Sequence, residues 1–118
     1  MQDDLSLVRD HILLPILQTM VVQANSETEG SKDVLTRLKL MVGVTLLKTV
    51  RADIYQVNTE LRRRKIRVVK DPESSRLELR YRYGDQLVCI PRSEVRAEIA
   101  LRMDQYITVV GELMDKKE

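Results

Sequence analysis

Arg76-Leu77-Glu78-Leu79-Arg80-Tyr81-Arg82-Tyr83-Gly84-Asp85-Gln86-Leu87-Val88-Cys89-Ile90-Pro91 is the stretch that decides the fold. Charged and apolar side chains alternate strictly from Arg76 to Tyr83, the period of a strand with one buried and one solvated face. Gly84-Asp85 supplies a two-residue turn, because glycine takes positive φ without a Cβ clash. Residues 86–90 return as a strand, and Pro91, with no amide hydrogen for a ladder, ends it. Such a turn sets Tyr81 opposite Val88, Leu79 opposite Ile90, Arg82 opposite Leu87 and Arg80 opposite Cys89.

Upstream, residues 65–70 predict a first strand, turned by Asp71-Pro72-Glu73-Ser74. A four-residue turn there pairs Ile66 with Leu79 and Val68 with Leu77. One face then carries Ile66, Val68, Leu77, Leu79, Tyr81, Val88 and Ile90 and reads as the core side. The other carries Lys65, Arg67, Arg76, Arg80 and Arg82, among Glu78, Val69, Leu87 and Cys89.

On both sides of this meander the period is helical. A helix over 4–24 starts at Asp3 or Asp4, where a carboxylate accepts free amides. Pro15 lies inside it, and the lost bond to the carbonyl of His11 predicts a kink or a split. Residues 25–30 are polar and read as a loop, with Ser31 as the N-cap of a helix over 31–63. Along it Leu40, Gly43, Leu47, Val50, Ile54, Val57 and Leu61 recur at spacings of three and four, a single stripe. A last helix over 92–114 places Ile99, Met103, Tyr106, Val110 and Leu113 on one stripe. The expected architecture is one α+β domain in the order α-α-β-β-β-α, with long amphipathic helices packed on a three-stranded antiparallel meander.

Composition bounds the rest. The chain has 118 residues, enough for one core and too few for two. It has four Tyr and neither Phe nor Trp, so aliphatic residues and Met must fill the interior. The single cysteine, Cys89, excludes an internal disulfide, cannot build a zinc site alone and points to a reducing compartment. The most apolar run, 12–22, is about half the ~20 residues that cross a bilayer. Asp3, Asp4 and Asp10 crowd Arg9 where a signal peptide would carry a basic start. These features predict a cytoplasmic protein that does not engage a membrane.

No catalytic constellation, cofactor motif or metal-ligand spacing emerges. Glu29-Gly30-Ser31-Lys32 lacks the first glycine and the Gly-Lys-Ser order of a phosphate loop, and no strand precedes it. His11, the only histidine, has no sequence-adjacent partner and reads as a packed side chain. Tyr81, Tyr83 and Tyr106 sit at periodic positions that suit a core. Met20, Met41, Met103 and Met114 lie on apolar stretches, where they fill space adaptably.

Two features point to function. Residues 12–17 and 40–47 are apolar around the whole helix for about two turns each, and such helices must be covered all round. A second copy of the chain supplies that cover, so the leading expectation is a non-enzymatic protein-interaction module acting as a homodimer, its protein partners undefined. Self-association is expected through Leu40, Gly43, Leu47, Val50, Ile54 and Val57. The alternative cover is intramolecular, with the first helix wrapping the second. The other feature is charge: residues 62–82 hold nine Lys or Arg against three Asp or Glu, while both flanking segments are net negative. Arg62, Arg64, Lys65, Arg67, Arg76, Arg80 and Arg82 could bind phosphate through their planar forks, which makes a small nucleic-acid- or phosphate-binding regulator the second reading. The nearly balanced total charge and the lack of stacking aromatics on that face weigh against nucleic acid.

Overall fold

The computed structural model describes residues 2–28 and 33–115. The proposed N-cap Ser31 and the Gly30 loop lie outside the described residues. Three helices, α1 (Asp4–Thr28), α2 (Val34–Arg63) and α3 (Arg92–Asp115), flank three short strands, β1 (Val68–Lys70), β2 (Glu78–Tyr83) and β3 (Gln86–Pro91). The order is α-α-β-β-β-α, with an antiparallel sheet ordered β1-β2-β3. It is the α+β arrangement expected.

Asp3 caps α1 by accepting the amide hydrogen of Ser6 at 2.7 Å, and that bond holds its carboxyl below the usual carboxylate range. The helix runs unbroken through Pro15, which faces solvent, so the expected split does not occur. Residues 4–27 form a helix long enough to cross a bilayer, and an 18-residue stretch within it reaches a mean hydropathy of 1.4. Here the helix is the centre of the fold. Leu7, Val8, Ile12, Leu13, Leu14 and Leu17 are all buried, against Val50, Val57 and Leu61 of α2, Leu79, Val88 and Ile90 of the sheet, and Val95 and Ile99 of α3. The run at 12–17, apart from the exposed Pro15, thus finds its cover inside the chain.

The end of α2 explains why β1 is shorter than expected. Lys65 takes the left-handed conformation (φ 59°). Its amide bonds the carbonyl of Arg62 at 3.0 Å, and the Ile66 amide bonds that of Leu61 at 2.9 Å. These two bonds form the Schellman cap, which satisfies carbonyls the helix would leave open. Lys65 and Ile66 therefore serve the helix, and pairing begins only at Val68.

The β2–β3 hairpin has the expected register, with Leu79 opposite Ile90, Arg80 opposite Cys89, Tyr81 opposite Val88 and Arg82 opposite Leu87. Gly84 supplies the positive φ, 56°, at the first turn position. The β1–β2 register differs from expectation: Val68 pairs with Tyr83 and Lys70 with Tyr81, not Val68 with Leu77. A folded loop over 71–77 replaces the four-residue turn. The Asp71 amide reaches the Arg80 carbonyl at 2.8 Å, and the Ser74 hydroxyl bonds both the amide and the carbonyl of Arg80. Leu77, expected in the core, is carried outside at 81% exposure. The shift is an even number of residues, so those that remain in the sheet keep their expected faces, while Ile66 and Leu77 leave it.

Beyond the sheet, the three helices continue as an arm. Its interior is thin: Val21, Leu46 and Val110, with Val42, Leu47, Met103 and Tyr106 packed against them. The radius of gyration is 16.3 Å, against about 13.5 Å for a compact chain of this length.

Candidate functional site

The basic segment does not act as one positive surface. Asp71, buried in the β1–β2 loop, accepts a bond from Nε of Arg82 at 2.7 Å. The Glu73 amide and then Arg82 hold its carboxyl below the ordinary range. Arg80 pairs with Glu78 at 3.3 Å and Glu73 at 3.5 Å. Arg64 pairs with Glu60 and Asp4, each at 2.8 Å. Glu60 also meets Arg63, and the two guanidiniums pull its carboxyl down to about 2. Three of the seven expected phosphate-binding residues, Arg64, Arg80 and Arg82, are thus neutralised within the chain. Arg62, Lys65, Arg67 and Arg76 are exposed and in no ion pair among the described residues.

The expected self-association stripe faces inward. Val50 and Val57 belong to the main core, Gly43 is buried, and Leu40, Leu47 and Ile54 are partly covered. At Gly43 the helices approach so closely that a Cβ would lie 2.0 Å from Oδ1 of Asn25 on α1. The physical reason is that the strongest seam on α2 is taken first by its own neighbour in the chain, for which no translational entropy is lost. Gly43, Val50 and Val57 are buried within the chain and offer no surface to a second copy, while Leu40, Leu47 and Ile54 offer only a partial one.

A different face of α2 leaves apolar side chains open, with the exposed Arg37 in the same arc. Val34, Leu38, Met41 and Val44 are 68%, 49%, 57% and 43% exposed. Their spacing of four, three and three keeps them within about a third of the helix circumference. They line the outside of the thin arm. Part of their signal lies in the same apolar run at 40–47, on a different side of the helix from the buried stripe.

A polar cleft of about 630 Å³ opens where α1, α2 and α3 meet. The Tyr106 hydroxyl donates to Asp53 at 2.5 Å, Arg102 donates to Asp10 at 3.0 Å, and Gln2 also donates to Asp10. Burial, reinforced by Asp53, pushes the Tyr106 phenol well above its ordinary value, so it stays neutral. Burial works against the charge of Arg102, but its bonds to Glu98 and Asp10 prevail and hold its guanidinium above its ordinary value. These groups satisfy one another, which suits a structural network joining three helices.

His11 shares a 2.9 Å hydrogen bond with Asn58, and Cys89 is exposed on the outer sheet face. Among the described residues no group of three or more His, Cys, Asp or Glu is placed to hold a metal ion. A family model described as YhjD protein matches residues 1–110, and the chain belongs to that family. No curated protein matches, and no solved structure matches.

Proposed function

We propose that this chain of the YhjD protein family is a non-enzymatic assembly module that works as a homodimer, in the cytoplasm. The observation that carries the reading is the open stripe Val34, Leu38, Met41 and Val44 on an arm whose interior is only one layer deep. A contiguous exposed apolar strip marks an interaction site, and a two-fold axis lets one strip cover another. Met41 at its centre can adapt to an opposing surface. The lone exposed thiol of Cys89 fits a reducing compartment. Light scattering across a dilution series tests the assembly: a dimer that dissociates on dilution supports it, and a monomer at every concentration refutes it.

A second reading, phosphate or nucleic-acid binding, rests on Arg62, Lys65 and Arg67, which are exposed without carboxylate partners where α2 hands over to β1. Its test is anisotropy with a labelled oligonucleotide duplex over a salt series. Replacing all three with Gln should flatten the log–log salt slope by roughly 0.9 for each phosphate that is no longer neutralised. Affinity that ignores salt removes this reading.

A further inference from the structure

A second cavity, about 520 Å³, lies between α1 and α3. Its apolar part is formed by Val95, Ile99 and Met103 of α3 with Ile16 and Met20 of α1, and Arg76, Arg92 and Arg96 complete one end. No carboxylate lines it. None of the three arginines forms an ion pair among the described residues. This contrasts with Arg64, Arg80, Arg82 and Arg102, each of which has a carboxylate partner. Arg92 is anchored by bonds from Nε and Nη2 to the Ser75 carbonyl at 3.3 and 3.2 Å. Its amide also bonds the Leu77 carbonyl. The loop carrying Arg76 is thereby tied to the start of α3, beside Arg92 and Arg96.

We propose that this groove binds a single-chain amphiphile with a phosphate head, the head among the arginines and the acyl chain running toward Met20 and Met103. The groove is polarised along α3. Arg92 and Arg96 occupy the first two turns, and Ile99, Ala100 and Met103 follow over about 10 Å. Three guanidiniums exceed what one carboxylate needs and suit a doubly charged phosphate, which planar forks bind at more than one oxygen. The apolar remainder would leave a free phosphate without a partner for its walls, so head and tail are recognised together. The cavity volume lies in the ordinary range for small-ligand sites, about 300–1,000 Å³. Flexible Met20 and Met103 can close over a chain of variable length.

Calorimetric titration with dodecyl phosphate below its micellar concentration tests the proposal. Inorganic phosphate, dodecyl maltoside and an acidic amphipathic peptide serve as comparators. Dodecyl phosphate should bind with one-to-one stoichiometry, and the three comparators at least about tenfold more weakly, since each lacks the head, the charge or the slender tail. Arg76→Gln with Arg96→Gln should cost at least about tenfold, as charge-assisted bonds are removed. Ala100→Trp, at an exposed position that leaves the core intact, should block the tail while all three arginines remain in place. Equal binding of the neutral amphiphile, tighter binding of the peptide, or affinity unchanged in both variants would overturn the proposal.

Discussion

Tyr106 of α3 donates its phenolic hydrogen to the carboxylate of Asp53 on α2, across 2.5 Å and 53 positions of sequence. It also packs with Met103 between the main core and the arm. The pair is where the sheet-backed half of the molecule is joined to the extended half. Tyr106→Phe removes the donor and leaves Asp53 short of a partner, which should cost about 1 kcal/mol in urea unfolding. The folded phenol ionises above its unfolded value of 10.0. The stabilisation is therefore fully present below pH 10 and lost as pH rises through the folded value. The wild-type Tm should fall more steeply above pH 10 than that of Tyr106→Phe, and parallel curves would contradict this.

The acid side depends on Asp71 and Glu60, whose folded pKa values lie below their unfolded values of 3.8 and 4.5. Their stabilisation is present above those unfolded values and is lost as pH falls toward the folded ones. Asp71→Asn should lower the Tm at pH 7 by removing the Arg82 partner, and should flatten the loss of Tm as pH falls below the unfolded value of 3.8. An unchanged acid profile would show that the β1–β2 loop does not need this carboxylate.

Lys65 pays for its left-handed backbone at the α2 Schellman cap, where glycine is the usual residue. Lys65→Gly should stabilise the fold by about 0.5–1 kcal/mol, since the Cβ clash disappears at a modest cost in unfolded-state entropy. Chemical denaturation reads this directly. A destabilised variant would mean that the lysine side chain contributes more than its backbone strain removes.

Val50 is wholly buried against α1. Val50→Asp should destabilise by about 3 kcal/mol or more, because a carboxylate there has no partner and no water. Circular dichroism at 25 °C should show a loss of helix. A folded, soluble Val50→Asp protein would contradict the inward placement of the stripe.

The hairpin was legible because the Arg76–Tyr83 alternation and the Gly84-Asp85 turn agree on one register, and local chemistry decides both. The β1 register was hidden because it depends on Ser74 folding back onto Arg80, a side-chain contact no alternation reveals. The helix stripe at Leu40–Leu61 showed which face of α2 is most apolar, but periodicity does not say whether the covering surface comes from the same chain. The basic segment and its need for acidic neighbours were legible, but not which carboxylates neutralise it. Asp4, Asp71 and Glu73 reach the arginines only through the fold, Asp4 pairing with Arg64 from 60 residues away, whereas Glu60 meets Arg64 one turn along α2.

The most direct test of the assembly is the solution mass of the wild type beside Leu38→Glu with Met41→Glu, both at tens of micromolar, with helix content recorded for each. The wild type should sit near twice the 13.7 kDa chain mass, and the variant, folded to the same helix content, near one chain. A monomeric wild type, or a variant whose mass does not change, would contradict the homodimer and its placement on the outer face of α2.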